Sequence, residues 1–396
     1  MTHPSTPPGG SRSQRPTPVP RAASFCALGS ESAALAGAIR EAHAGVPVPT
    51  GVIVFASGSA AEMAESTLLA LRSELGDIPM VLGSSPGVLT ERAEHEGVSA
   101  VSGLVWSGGT VTPMYVPPKT ATDEIGSRLA QQVATALGDA SGTVVLLAQP
   151  QGFSPHTLDE LGRFSAHATV LGAGTLPGGA WASSPEHKPS QGQVVGLIVR
   201  GVARPAVRTA SACRLLSPFM PIKEARGAMV FRLGDEPALQ VLSSSTRDLA
   251  GRPLVLAVLA PPETKAGTRS GILVRGIRGI DPGRKSVVVT DEASPGMLMT
   301  FAVCDASASR ADLAGAMREL ARDMAGAAPQ FGILMSCAGR GVGLYGERDV
   351  DTRIVRERFS NVPFAGMFST FEIGPLGQRP AMHLYTTVVA MFGAPS

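Results

Sequence analysis

The sequence predicts an α/β (α+β) fold. Mixed, largely antiparallel β-sheets are flanked by helices in two similar halves, with a layered αββα-like sandwich as the candidate arrangement. Three observations lead there. A strand–helix–strand–small turn–strand pattern occurs three times. The stretch between the second and third occurrences reads mostly as strands. The chain is 44% hydrophobic over 396 residues, enough to fill a large core. Strand hairpins mixed with helical crossovers require sheets of mixed direction.

The elements follow in order. Residues 1–22 are Pro, Ser, Thr, Arg and Gly with little apolar content; nothing there offsets the entropy of ordering, so a Pro/Ser-rich disordered tail is expected. The first unit opens with Val52-Ile53-Val54-Phe55, a β-branched strand. Met63, Leu68, Leu69, Leu71 and Leu75 follow at helical spacing, then Met80-Val81-Leu82, the turn Gly83-Ser84-Ser85, a polar loop, and an alternating strand over 98–106. The second unit runs from Thr143-Val144-Val145-Leu146-Leu147 through a helix near 155–164, then Thr169-Val170-Leu171 and Gly172-Ala173-Gly174, to Val194-Val195-Gly196-Leu197-Ile198-Val199. The third runs from Phe331 to Cys337, with a helix near 349–359, then Pro363 to Phe368 and a final strand over 383–390. Between them lie strands over 228–233, 271–280, 286–290 and 297–303, and a helix over 311–324. A domain boundary is placed near 209–217, giving one domain over 23–210 and a second over 211–396.

Composition narrows the function. Net charge is +2, which argues against a nucleic-acid partner. Tyr and Trp are few (3 and 2), too few for a base-stacking platform. Cys26, Cys213, Cys304 and Cys337 form no CxxC, as expected of reduced thiols in a cytoplasmic protein. No apolar run reaches a membrane-spanning length, and the N-terminus carries no secretory pattern, so no membrane partner is expected. The histidines lack metal-ligand spacing; neither a metal nor a cofactor is expected.

The small turns are the first candidate ligand positions: Gly83, Ser84 and Ser85 in the first unit, Gly172-Ala173-Gly174 in the second, and Gly366 to Thr370 in the third, with Gly366 and Ser369 the ones favoured there. Small residues let backbone N–H groups approach an anion, although glycine there also lets strands bend. Residues 341–346 are a literal GxGxxG. The motif starts late after its strand, and a glycine content of 46 makes a chance match unsurprising. A helix N-terminus at Gly341 that binds another anion is the preferred reading.

The C-terminal segments carry a resemblance. Ser336-Cys337-Ala338-Gly339-Arg340-Gly341, Pro363 to Phe368, Glu372-Ile373-Gly374-Pro375, and His383 with Thr386 resemble the FIST C domain. Val52 to Ser57 and Met80 to Gly87 are similar to the FIST N domain. Together they cover about residues 25–390, and the two expected domains are read as FIST N-like and FIST C-like. Phe371 stands where the family has glycine and would narrow a pocket; Met367 stands where an aromatic is common. The resemblance implies a non-catalytic sensory protein of bacterial type that binds a small molecule such as an amino acid for signal transduction, with a signalling protein as downstream partner.

The site residues are weighed on that basis. Arg340 suits a bidentate grip on a carboxylate or a surface salt bridge. Glu372 suits a ligand ammonium, or a pair with Arg340. Arg275 and Arg278 interrupt one strand, and Arg275, at a position matching the family, is the one expected to point inward. Cys337 reads as a buried core thiol or as a nucleophile with His383 as base, the hydrolase or transferase alternative. A third alternative is a protein-interaction scaffold.

Overall fold

The computed structural model describes residues 21–29, 31–251, 253–264 and 271–393. The predicted tail lies outside the described residues up to residue 20, and the first strand begins at Ala22. The first copy of the repeated unit comprises β1 (Ala22–Leu28), α1 (Ser32–Gly45), β2 (Gly51–Ser57), α2 (Ser59–Glu62), α3 (Ala64–Leu75), β3 (Met80–Ser85), a hairpin of β4 (Gly87–Thr90) and β5 (Glu94–Glu96), and β6 (Ala100–Trp106). The second comprises β7 (Thr110–Val116), α4 (Thr122–Leu137), β8 (Gly142–Ala148), two 3-10 turns (Pro155–Leu158 and Leu161–Phe164), β9 (Ala168–Gly174), a hairpin of β10 (Ala180–Ser184) and β11 (His187–Gln191), and β12 (Val194–Arg200).

The third copy is split. It starts with β13 (Ala206–Ser211), and an inserted module follows: β14 (Cys213–Leu215), β15 (Met220–Arg226), β16 (Met229–Leu233), β17 (Glu236–Pro237), α5 (Ala238–Thr246), β18 (Val255–Ala260), β19 (Leu273–Asp281), β20 (Ser286–Val289) and β21 (Leu298–Cys304). The copy resumes with α6 (Ala306–Asp323), β22 (Pro329–Cys337), α7 (Gly341–Tyr345), α8 (Val350–Arg358), β23 (Phe364–Ser369), a hairpin of β24 (Glu372–Leu376) and β25 (Arg379–His383), and β26 (Thr386–Gly393).

The three copies share one pairing scheme. The central strand (β2, β8 or β22) runs parallel to the strand after it (β3, β9, β23) and antiparallel to the closing strand (β6, β12, β26). The opening strand (β1, β7, β13) covers the far side of the closing strand. Each hairpin leaves its own copy. β4 joins β23 of the third copy, β10 joins β3 of the first, and β24 joins β9 of the second. The exchange is cyclic, so every sheet is completed by a neighbour, and the open edge that an unpaired third strand would present is covered.

The central strands are buried on both faces, which is why they read as near-continuous apolar runs. Their inner faces meet in one core with Ile53, Phe55, Val145, Leu147, Ile333 and Met335. Trp106 of the first copy stacks on Phe331 at 5.7 Å, and Phe331 on Phe392 at 4.4 Å. The outer faces pack against α1 and α3, α4, and α6 and α8 respectively. The fold is therefore α+β, as expected.

Several elements differ from the sequence reading. The polar loop after β3 is the β4–β5 hairpin, because its pairing partner lies over 260 residues away in β23. The helix expected near 155–164 is two 3-10 turns, begun by Pro155 behind a Ser154 capping box. The sequence reading omits α1 and α4, although Ile125, Leu129, Val133 and Leu137 recur at four-residue spacing on α4 and are buried.

Gly366 illustrates how closely the strands approach. A Cβ there would sit 1.9 Å from the Leu334 carbonyl oxygen, whereas one on Gly343 would meet nothing within 4 Å. Gly366→Ala is expected to cost on the order of 3 kcal/mol in chemical denaturation, because backbone must shift. Gly343→Ala, in the short helix α7, is expected to be neutral or slightly stabilising. Equal effects would contradict the close-approach role of Gly366.

Candidate functional site

At the C-terminal end of β22 the chain turns through Gly339 and buries Arg340 completely, with 1% exposure. Arg340 Nε donates to Asp351 Oδ2 at 2.8 Å and Nη2 to Oδ1 at 2.9 Å. Asp351 lies on α8, also fully buried. It accepts further bonds from Ser336 Oγ (2.7 Å) and Tyr345 Oη (2.7 Å), and a longer one from Thr387 Oγ1 (3.3 Å). Burial opposes the Asp351 charge, but Arg340 and these donors outweigh it and hold the carboxyl below its usual range. Burial likewise opposes the Arg340 charge, and the Asp351 carboxylate prevails. Sequence reasoning expected Arg340 to pair with Glu372, a ligand or a surface acid; the structure pairs it with Asp351 in the interior. The signal for Asp351 was faint, one acid among several in a charged helix.

Arg340 Nη1 has no hydrogen-bond partner among the described residues. Glu372 supplies a second such atom. It is fully buried at the start of β24; Oε1 accepts from Ser369 Oγ at 2.8 Å, and Oε2 is without a hydrogen-bond partner among the described residues. Burial raises the Glu372 carboxyl well above its ordinary range, against the pull of Ser369, Arg340 and the Thr386 amide. Burial thus disfavours the charged form of the Glu372 carboxyl.

Cys337 and Ser369 are Cα partners at the ends of β22 and β23. The Cys337 thiol receives the backbone N–H groups of Gly339 and Tyr385, yet burial, then Glu372, pushes it up to about 12. His383, the Cα partner of Glu372, donates Nε2–H to the Gly374 carbonyl at 3.3 Å. Burial and then Arg275 lower it to about 4. A protonated thiol and a neutral imidazole turned to a backbone carbonyl do not make an activated pair. Arg275 comes from β19 of the inserted module, 3% exposed, while Arg278 is exposed. Its Nε donates to Asp291 at 2.9 Å and its Nη2 to the Met382 carbonyl at 3.2 Å, so the module reaches the β24–β25 hairpin. Tyr385, with φ +54, is half-buried; burial, then Cys304, Cys337 and Cys213, raises its phenol.

Other expected positions have structural partners. Ser84 Oγ donates to the Ala61 carbonyl and Ser85 Oγ to that of Gly87 at 2.7 Å, while Gly83 packs on Leu147 and Thr175. Gly341, with φ +57, does face an anion, and that anion is the chain's own Glu96, whose Oε1 accepts from Val342 N at 2.9 Å. Two residues earlier on the same strand, Glu94 Oε1 accepts from Thr352 N at 2.8 Å, and Glu94 N donates to Asp349 at 2.6 Å. The exchanged first-copy hairpin is thus clasped to the starts of α7 and α8. Phe371 does not narrow this site: it turns into the second copy's core and stacks on Phe153 at 5.4 Å.

By ladder register, the place of Glu372 is Val88 in the first copy's exchanged hairpin and Ala180 in the second's, both buried and apolar. Of the three copies, the third carries the carboxyl at this position.

Two open clefts lie elsewhere. One of about 540 Å³ is lined by Tyr115, Gln132, Ser183 and His187, the other of about 830 Å³ by Arg208, Glu319 and Arg379.

Residues 50–236 match the FIST N domain and residues 238–375 the FIST C domain. An uncharacterized protein of Mycobacterium tuberculosis is 24% identical over 358 residues, covering 87% of this chain and 91% of that protein. An uncharacterized protein of Mycobacterium bovis is 27% identical over 259 residues, covering 63% of this chain and 67% of that protein. A crystal structure of a chorismatase aligns with 96% of this chain and 100% of that one at 10% identity, with a TM-score of 0.35, too low to carry an argument.

Two predictions follow from the electrostatics. Asp351→Asn leaves the buried Arg340 charge uncompensated and is expected to cost about 3–5 kcal/mol in urea unfolding; a loss under 1 kcal/mol would contradict the pairing. The second concerns Glu94, which burial, then Asp351, raises from its ordinary 4.5 to about 7. A carboxyl raised on folding contributes stability that is present below pH 4.5 and lost as pH rises through 7. Glu94→Gln should therefore abolish a loss of up to about 3 kcal/mol between pH 4.5 and 7.5. Parallel stability–pH curves for the two proteins would count against it.

Proposed function

Because the chain belongs to the FIST family, whose domains are associated with small-ligand sensing in signalling, we propose that it is a non-catalytic cytoplasmic sensory protein. Its ligand would be a small zwitterion of the amino-acid class, and a signalling protein its downstream partner. The observation that carries this reading is the pair of buried polar atoms without partners, Arg340 Nη1 and Glu372 Oε2. Leaving a buried polar group unpaired costs about 1–3 kcal/mol, so two at one seam mark a place that a ligand would satisfy. Arg340 Nη1 would donate to a carboxylate. Glu372 Oε2 would receive an ammonium, which favours the carboxylate form that burial opposes.

Burial disfavours the charged form of Glu372, so an ammonium that pairs with its carboxyl should shift it towards ionisation and release protons. Calorimetry of an amino acid in buffers of different ionisation enthalpy should show that release. Glu372→Gln should abolish that release and weaken binding at least tenfold. A free amino acid at one hundred times its Kd should stabilise the protein by ~2.7 kcal/mol. No thermal shift with any of the common amino acids would overturn the ligand class.

A further inference from the structure

The inserted module leaves the third copy between β13 and α6, and its two ends are cysteines: Cys213 opens β14 and Cys304 closes β21. They are antiparallel Cα partners. The hydrogen bonds around them fix which kind of pair they are. Asp305 N donates to the Ala212 carbonyl at 3.0 Å and Leu216 N to the Phe301 carbonyl at 2.8 Å. Since hydrogen-bonded and non-hydrogen-bonded pairs alternate, Cys213 and Cys304 form a non-hydrogen-bonded pair. There the Cα atoms stand about 4.5 Å apart and side chains are closest. That separation lies within the disulfide range of about 4.4–6.8 Å. Both thiols are free, and they are in hydrogen-bond contact with each other.

We infer that Cys213 and Cys304 form a reversible cross-strand disulfide, a thiol modification site that staples the neck of the inserted module. Cys304 is the half-buried member and Cys213 the buried one, so Cys304 is the attacking thiol and Cys213 the resolving one. The Cys213 thiol hydrogen bond lowers the Cys304 pKa, and the Arg340 charge adds to this. The oxidant would be a small peroxide or a low-molecular-weight disulfide. With hydrogen peroxide, the Cys304 thiolate attacks one oxygen and the O–O bond breaks, giving a sulfenic acid and, after proton uptake, water. Cys213 sulfur then displaces the hydroxyl as a second water, and the S–S bond forms. Two thiols supply the two electrons that reduce the peroxide. With oxidised glutathione, Cys304 forms a mixed disulfide and Cys213 expels the second glutathione thiol.

The staple would tie together the ends of a segment spanning residues 213–304, from which Arg275 reaches the β24–β25 hairpin. The inference stands on strand register and does not rest on the ligand reading.

The test uses the full chain, reduced and then treated with hydrogen peroxide or oxidised glutathione, followed by differential alkylation and peptide mapping. The expected result is a single cross-linked peptide pair joining Cys213 to Cys304. Alkylation of both should fall more than tenfold and be restored by dithiothreitol, with Cys26 unchanged. In Cys213→Ser, oxidised glutathione should leave a stable adduct on Cys304. Linkage of either cysteine to Cys337, over-oxidation of Cys304 without linkage, or no linkage in the wild type would overturn the inference. If Cys213→Ser fails to fold, the wild-type peptide map decides by itself.

Discussion

Each of the three central sheets ends in a strand that its own copy cannot cover. β3, β9 and β23 each have a free edge until a hairpin from another copy pairs with it. An open edge of buried, apolar strand is costly in water and invites pairing with another chain. The cyclic exchange removes the problem three times, and it makes each sheet's completion depend on distant sequence. The shared inner core, with its Trp106–Phe331–Phe392 stack, forms between sheets completed in this way.

The exchange also builds the polar seam. The first-copy hairpin brings Glu94 and Glu96 to the N-termini of α8 and α7, where backbone N–H groups and the helix dipoles favour negative charge. Behind this clasp, Arg340 and Asp351 are held in a bidentate pair with Tyr345, Ser336 and Thr387. The third-copy hairpin places Glu372 against β9 at the same end of β22. Charges with long separations in sequence thus meet in the interior. Burying them is tolerable because most of their polar atoms are paired; among the described residues of this seam, Arg340 Nη1, Glu372 Oε2, Glu94 Oε2 and Thr352 Oγ1 are without a hydrogen-bond partner.

The inserted module adds a second level. It supplies Arg275 to the back of the hairpin that carries Glu372 and His383, and its neck stands beside Tyr385. A site at a junction between a closed ring and an inserted sheet can respond to the position of either. Within it, the Cys337 thiol is pushed up to about 12 and the imidazole of His383 is turned to a carbonyl, so the two do not form an activated pair.

Read alone, the sequence determined the α+β class, the three central strands, and most of the residues at the seam: Arg275, Cys337, Arg340, Ser369, Glu372 and His383. The strands were legible because doubly buried strands are continuous apolar runs; the seam residues were singled out mainly through the resemblance to the FIST domains. Only the tertiary structure decided the partners. The hairpins looked like loops, since a strand of three or four residues has too little alternation to be read without its partner. Asp351 was one acid in a charged helix until the fold placed it against Arg340. Gly341 looked like a ligand turn, and the anion it faces proved to be Glu96, brought from some 245 residues away. Local pattern records which residues must be buried. Which buried residues meet is set by how the sheets close, and no local window contains that.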